Sequence, residues 1–169
     1  NCMPLHELFP VLDDVPEEIK KTVDELKYNS THIIMVGVKK DTLGENFAVM
    51  VPQEDIIFHR VSKIGFLGES YKREDGSDLQ CEVSFREGGE ISKLGEEEII
   101  RKVVDGLDKT GFIQKKDVQH TTLKTMKYSY VIYDLDHRHN TDKVLKYLNS
   151  IGITCNGRFA EFEYLNMDG

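Results

Sequence analysis

Tryptophan is absent from this chain of 169 residues, proline occurs four times and cysteine three times. The cysteines, Cys2, Cys81 and Cys155, are odd in number, and none stands in a Cys-x-x-Cys pair. A disulfide framework or a zinc knuckle is therefore not expected, and reduced thiols in a cytoplasm are the simplest reading. Long hydrophobic runs are missing too. Nothing approaches the roughly 18 apolar residues of a membrane helix, and the opening does not read as a signal peptide, so a cytoplasmic protein without a membrane span is expected. Positive charge is in deficit: 22 Lys and Arg stand against 30 Asp and Glu, for a net charge of −8. Nucleic acid is not an expected partner, because binding a phosphate backbone needs clustered cations.

Several catalytic signatures are also lacking. The chain holds no Gly-x-Gly-x-x-Gly turn, no P-loop and no Gly-x-Ser-x-Gly elbow, so it has no recognisable phosphate-cradling turn and no complete catalytic motif of its own. What is present is the make-up of a globular domain, 39% hydrophobic and 31% charged, long enough to build a core without disulfides or metals. The chain enters at Asn1-Cys2-Met3-Pro4-Leu5 and stops at Asn166-Met167-Asp168-Gly169, which suggests a piece of a longer protein.

Apolar spacing predicts three helices. The first covers about 16–27, with Asp14 able to cap it, Pro16 in its first turn and Ile19, Val23 and Leu26 on one face. The second covers 95–109, opening on three glutamates that suit the positive end of the helix dipole and carrying a stripe of Ile99, Ile100, Val103, Val104 and Leu107. The third covers 141–151, with Val144, Leu145, Leu148 and Ile151 inward and Gly152 as its stop. Strands are expected at His32–Lys39, Phe47–Val51, Ile56–Ile64, Leu79–Arg86 and Asp117–Met126, with further extended chain at Tyr128–Tyr133 and from Ile153 onward. In Leu79–Arg86, Leu79, Cys81, Val83 and Phe85 alternate with Gln80, Glu82 and Ser84, the pattern of a half-buried strand. The fold class expected is α+β: a mixed, mostly antiparallel sheet of five or six strands with helices packed on one face.

Few side chains invite a chemical role. Asp134, Asp136, His137 and His139 lie close in sequence, and a solvated turn leading into the third helix accounts for them without a metal. Arg60 falls inside a strand-like run, Phe58-His59-Arg60-Val61-Ser62, where an arginine needs a planar anionic partner or a route to solvent. Taken by itself, an ordinary ion pair explains it. Arg158, Ala160 and Phe162 would share one face of an extended segment, and Tyr130 and Tyr164 would serve as core aromatics with satisfied hydroxyls.

Together, however, the phrases form an ordered set. Gly157-Arg158-Phe159, then Tyr164, then Asn166-Met167-Asp168, resemble the carboxy-terminal flavin motif of the UDP-galactopyranose mutases. Phe58-His59-Arg60-Val61-Ser62 looks like the strand by which that family offers an arginine to the substrate diphosphate, and Cys81-Glu82-Val83-Ser84 like its next central strand. Gly106-Leu107, Asp117-Val118 and Tyr130 follow in the same order, and Met3-Pro4-Leu5 matches the passage from nucleotide domain to substrate domain. Val131 and His59 depart from the family, which often has proline and a phenol there. The amino-terminal dinucleotide fold, with its glycine-rich turn, is missing.

The resemblance, to UDP-galactopyranose mutases within the FAD-dependent amine oxidase superfamily, implies a substrate-binding domain over 1–154 and, over 155–169, the start of a segment that contacts FAD. It implies Arg60, Tyr130 and Tyr164 as groups for the diphosphate of a nucleotide sugar, and Gly157, Arg158, Asn166, Met167 and Asp168 as groups for FAD. FAD itself is expected in the full-length parent and not on this chain alone, whose partner would be the missing dinucleotide-binding domain. An amine oxidase, a protoporphyrinogen oxidase-like or a desaturase-like enzyme of the same superfamily is the alternative, and a non-catalytic binding module a second one.

Overall fold

The computed structural model describes residues 1–165 and divides the chain into two compact units, 1–29 with 128–169 and 30–127. Asn166, Met167 and Asp168 therefore lie outside the described residues.

The unit of residues 30–127 carries most of a five-stranded sheet. Its strands are β1 (Tyr28–Val38), β2 (Ala48–Met50), β3 (Arg60–Lys63), β4 (Ser77–Phe85) and β5 (Val118–Val131), in the order β2-β3-β4-β1-β5. β1 with β4, β3 with β4 and β2 with β3 are antiparallel pairs. At β5 the amide of Lys39 donates to the carbonyl of Asp117, and that of Ile132 to the carbonyl of Lys27, so this pair runs antiparallel as well. The α+β sheet of the sequence reading is thus present with five strands.

The predicted alternation holds along β4. Leu79, Cys81 and Val83 are fully buried, and the register sets Val61, Ile34 and Val36 beside them. A 14-residue helix (Glu96–Lys109, α3 in chain order) covers this face. Its Ile99, Val103 and Leu107 belong to the same apolar cluster as the strand residues, together with Phe58. α3 ends where Gly111 turns back at φ 75° and Phe112 donates its amide to the carbonyl of Leu107, the geometry that glycine allows at a helix end. The opposite sheet face is polar and carries Arg60, Ser62, Gln80 and Glu82.

The other unit packs three helices, α1 (Leu5–Leu8), α2 (Glu17–Glu25) and α4 (His137–Ser150), around Leu5, Val23, Leu26, Val144, Leu148 and Phe162. Among the described residues no helix is long and apolar enough to cross a membrane.

Several expectations need correction. Asp14 does not cap α2: it takes a left-handed backbone at φ 55°, and Pro16 is the capping position. Ile56–Ile64 contributes a strand only from Arg60, because Pro52 opens a turn in which Ile56 donates to Gln53. The separate runs 117–126 and 128–133 are one strand, since no breaker stands between them. Among the described residues no strand follows Ile153. Gly157 at φ 107° and Phe162 at φ 52° curl this segment, and the amides of Ala160 and Glu161 both return to the carbonyl of Gly157. Arg158, Ala160 and Phe162 therefore do not alternate on a strand face.

Candidate functional site

Arg60 opens β3, and the register sets it directly opposite Glu82 on β4. Its Nε donates to Glu82 Oε1 at 3.0 Å, and its Nη2 donates to the same oxygen. Gln80 Nε2 adds a third donor at 3.2 Å, while His59 Nε2 stands 3.6 Å from Glu82 Oε2. The Glu82 side chain is 4% exposed, that of Arg60 39%. A carboxylate so deeply placed needs such donors, since burying an unpaired charge is costly. The guanidinium meanwhile is fixed by Glu82 along one edge and stays partly exposed. Sequence reasoning singled out Arg60 and missed Glu82. The clue lay in the alternation of β4, which places Glu82 on the polar face, but its partner depends on the β3–β4 register.

The other predicted groups belong to the helical unit. Tyr130, near the end of β5, stacks on Tyr164, with ring centroids 5.8 Å apart and planes 11° from parallel. Arg158 lies over the Tyr164 ring, 4.7 Å from Cζ to centroid. Its Nη1 donates to the carbonyl of Ser129 at 3.2 Å, its Nε to that of Leu165 at 3.0 Å, and its Nη2 to Leu165 too. The amide of Tyr164 donates to Tyr133 Oη at 2.7 Å. The structure thus brings Tyr130, Arg158 and Tyr164 into one stack and places Arg60 in the other unit with Glu82.

Gly157 precedes this stack and donates its amide to Glu161 Oε2 at 2.8 Å. At φ 107° it is in a region that favours glycine, and a Cβ there would meet no described residue within 4 Å.

The Asp134–His139 segment behaves as a turn and helix start. Asp134 pairs with Lys27 at 2.7 Å, which holds its carboxyl below the ordinary range, and His137 Nε2 donates to the buried carbonyl of Phe162 at 2.8 Å. An open cleft of about 670 Å³, lined by Lys63, Phe66, Tyr71, Lys72 and Arg73 among others, contains none of the predicted residues that are described. Its cations are paired: Lys63 with Asp41, Lys72 with Glu69, and Arg73 with Asp75 and Asp78.

No family model matches the chain, and no curated protein sequence does. Solved structures match it well. A crystal structure of reduced UDP-galactopyranose mutase aligns over 96% of this chain with a TM-score of 0.81 and 18% identity. The chain has the fold of that part of the enzyme. A putative protoporphyrinogen oxidase from Exiguobacterium sp. 255-15 aligns over 88% of the chain with a TM-score of 0.66 and 14% identity. The PF1083 protein from Pyrococcus furiosus aligns over 94% with a TM-score of 0.53 and 11% identity. The aligned regions are only part of those proteins, 36%, 33% and 41% of their respective lengths. The likeness read in the sequence is therefore a likeness of fold to a part of larger proteins.

The described residues suit a flavin in one respect. Arg158 is a cation fixed by main-chain carbonyls, the kind of group that steadies negative charge on a reduced ring. The turn that would cradle the cofactor's pyrophosphate is not in this sequence.

Proposed function

We propose that this chain is the substrate-binding part of a larger, cytoplasmic, UDP-galactopyranose mutase-like flavoenzyme acting on nucleotide sugars in polysaccharide or lipopolysaccharide synthesis. The observation that carries this reading is the fold match over 96% of the chain, joined to the ordered phrases around Arg60 and Arg158. In this reading residues 1–154 form the substrate domain and 155–169 begin the FAD-contacting segment. A departing diphosphate gathers negative charge on a few oxygens, and a cation with phenolic donors stabilises that charge without needing a metal. Arg60, Tyr130 and Tyr164 are the groups proposed for it. Gly157, Arg158, Asn166, Met167 and Asp168 are proposed for the FAD side. When bound, the flavin supplies the covalent and redox chemistry, and the chain supplies binding and orientation.

A second reading, an oxidase of the same superfamily, is favoured by the fold match to the putative protoporphyrinogen oxidase. Calorimetry with UDP on the polypeptide of the whole open reading frame, purified with FAD, separates the two. Arg60→Lys is expected to weaken UDP roughly 10-fold, because an ammonium cannot make the planar two-pronged contact of a guanidinium. Unchanged UDP affinity, or no UDP binding by the unaltered protein, overturns the nucleotide-sugar reading in favour of the oxidase.

A further inference from the structure

Within the reading just proposed, Arg158 belongs to the flavin side. Its surroundings point to a second task. Three of its N–H donors go to main-chain carbonyls: Nε and Nη2 to Leu165, and Nη1 to Ser129. Ser129 adjoins Tyr130, and Leu165 adjoins Tyr164. The guanidinium thus ties together the two backbone positions next to the stacked phenols, while its Cζ stands over one of their rings. Tyr133 Oη accepts the Tyr164 amide. The segment itself curls tightly, Glu163 donating its amide to the carbonyl of Arg158 at 2.8 Å.

We infer that Arg158 is a positioning residue for Tyr130 and Tyr164, and so sets the affinity for the nucleotide diphosphate through them. The inference rests on the assignment of those tyrosines to the substrate. Its physical basis is preorganisation. A phenol held in one orientation does not lose rotamer freedom when the ligand arrives, whereas a loose one does. An ordinary counter-charge needs only to be near its anion. This guanidinium is instead engaged by geometry: a planar fork spans two carbonyls, and its Cζ stands over an aromatic ring. A lysine keeps the charge and loses both features.

Arg158→Lys is therefore the decisive variant, made in the polypeptide of the whole open reading frame carrying FAD. The expected result is a loss of UDP affinity of roughly 10-fold, with the flavin midpoint potential unchanged, because the charge is kept while the clamp is lost. In a background of Tyr164→Ala, Arg158→Lys is expected to add little further loss, since residues acting through one another are not additive. Wild-type UDP affinity in Arg158→Lys overturns the inference, and so does a full, additive loss in the Tyr164→Ala background. Tyr130→Phe and Tyr164→Phe report on the underlying assignment. If both leave UDP affinity unchanged, the substrate role of the tyrosines fails and this inference falls with it, whatever the Arg158 variants show.

Discussion

Arg60 and Glu82 face one another across β3 and β4, the carboxylate buried and the guanidinium half in solvent. The asymmetry makes the pair respond unequally to the loss of either member. Removing the arginine strands a charge with little access to water. Removing the carboxylate leaves a cation that is already partly exposed.

Arg60→Ala is accordingly expected to cost stability as well as ligand affinity. Gln80 and His59 remain beside Glu82, so the cost falls below that of an orphaned charge deep in a core, at about 2 kcal/mol. Arg60→Ala combined with Glu82→Gln removes the charge that would be stranded and is expected to recover most of the loss. Urea denaturation of the two variants checks this, and equal midpoints would show that Glu82 does not depend on Arg60.

Gly76, just before β4, offers a test of close packing. A Cβ there would lie 2.1 Å from the carbonyl oxygen of Val38, which is backbone and has little room to yield. Gly76→Ala is expected to destabilise by about 2–4 kcal/mol, read as a lower midpoint of unfolding in urea.

How far the fold was legible depended on whether the deciding information was local. α3 was read nearly to the residue, because Ile99, Val103 and Leu107 repeat at helical spacing and Gly111 stops the chain. β4 was read correctly because Leu79, Cys81 and Val83 alternate. The segment after Ile153 was misread. Its alternation of Arg158, Ala160 and Phe162 imitates a strand, yet the backbone is bent by Gly157 and by the positive φ of Phe162, which alternation does not encode. At the site, the phrases around Arg60 and Arg158 were visible as phrases. What each arginine binds was not, because Glu82 lies 22 residues from Arg60 and the Ser129 carbonyl 29 from Arg158.

The three thiols are expected to label in sequence. Cys2 is exposed and Cys155 half-buried, while Cys81 lies fully buried in the sheet face beneath α3, where burial and then the neighbouring Glu82 push its pKa up. Since the thiolate is the reactive form, a thiol reagent at pH 8 should consume Cys2 first and Cys155 more slowly, leaving Cys81 until urea unfolds the chain. Labelling of Cys81 at the rate of Cys2 in the native protein, located by peptide mass, would contradict the burial described.

His32 gives the pH dependence. It sits on β1, buried, with its ring stacked on Phe85 at 4.2 Å and Nδ1 bonded to Thr125 Oγ1 at 2.9 Å, while Nε2 is buried without a hydrogen-bond partner. Burial lowers its pKa below the ordinary histidine value of 6.5. The neutral ring is thus favoured in the folded state, and the unfolded chain takes up the proton first. The stabilising effect is fully present above the unfolded pKa and is lost as pH falls from there through the folded pKa. Stability is therefore expected to decline as pH falls through that interval. The lowered carboxyl pKa of Asp41, where hydrogen bonds from Ser77, Lys63 and Leu43 outweigh burial, acts only further down, below its ordinary value of 3.8. Urea midpoints measured at pH 7.5 and pH 5.5 should therefore fall for the native sequence and change less for His32→Gln, whose amide does not titrate. An equal fall in both would assign the pH dependence to another group.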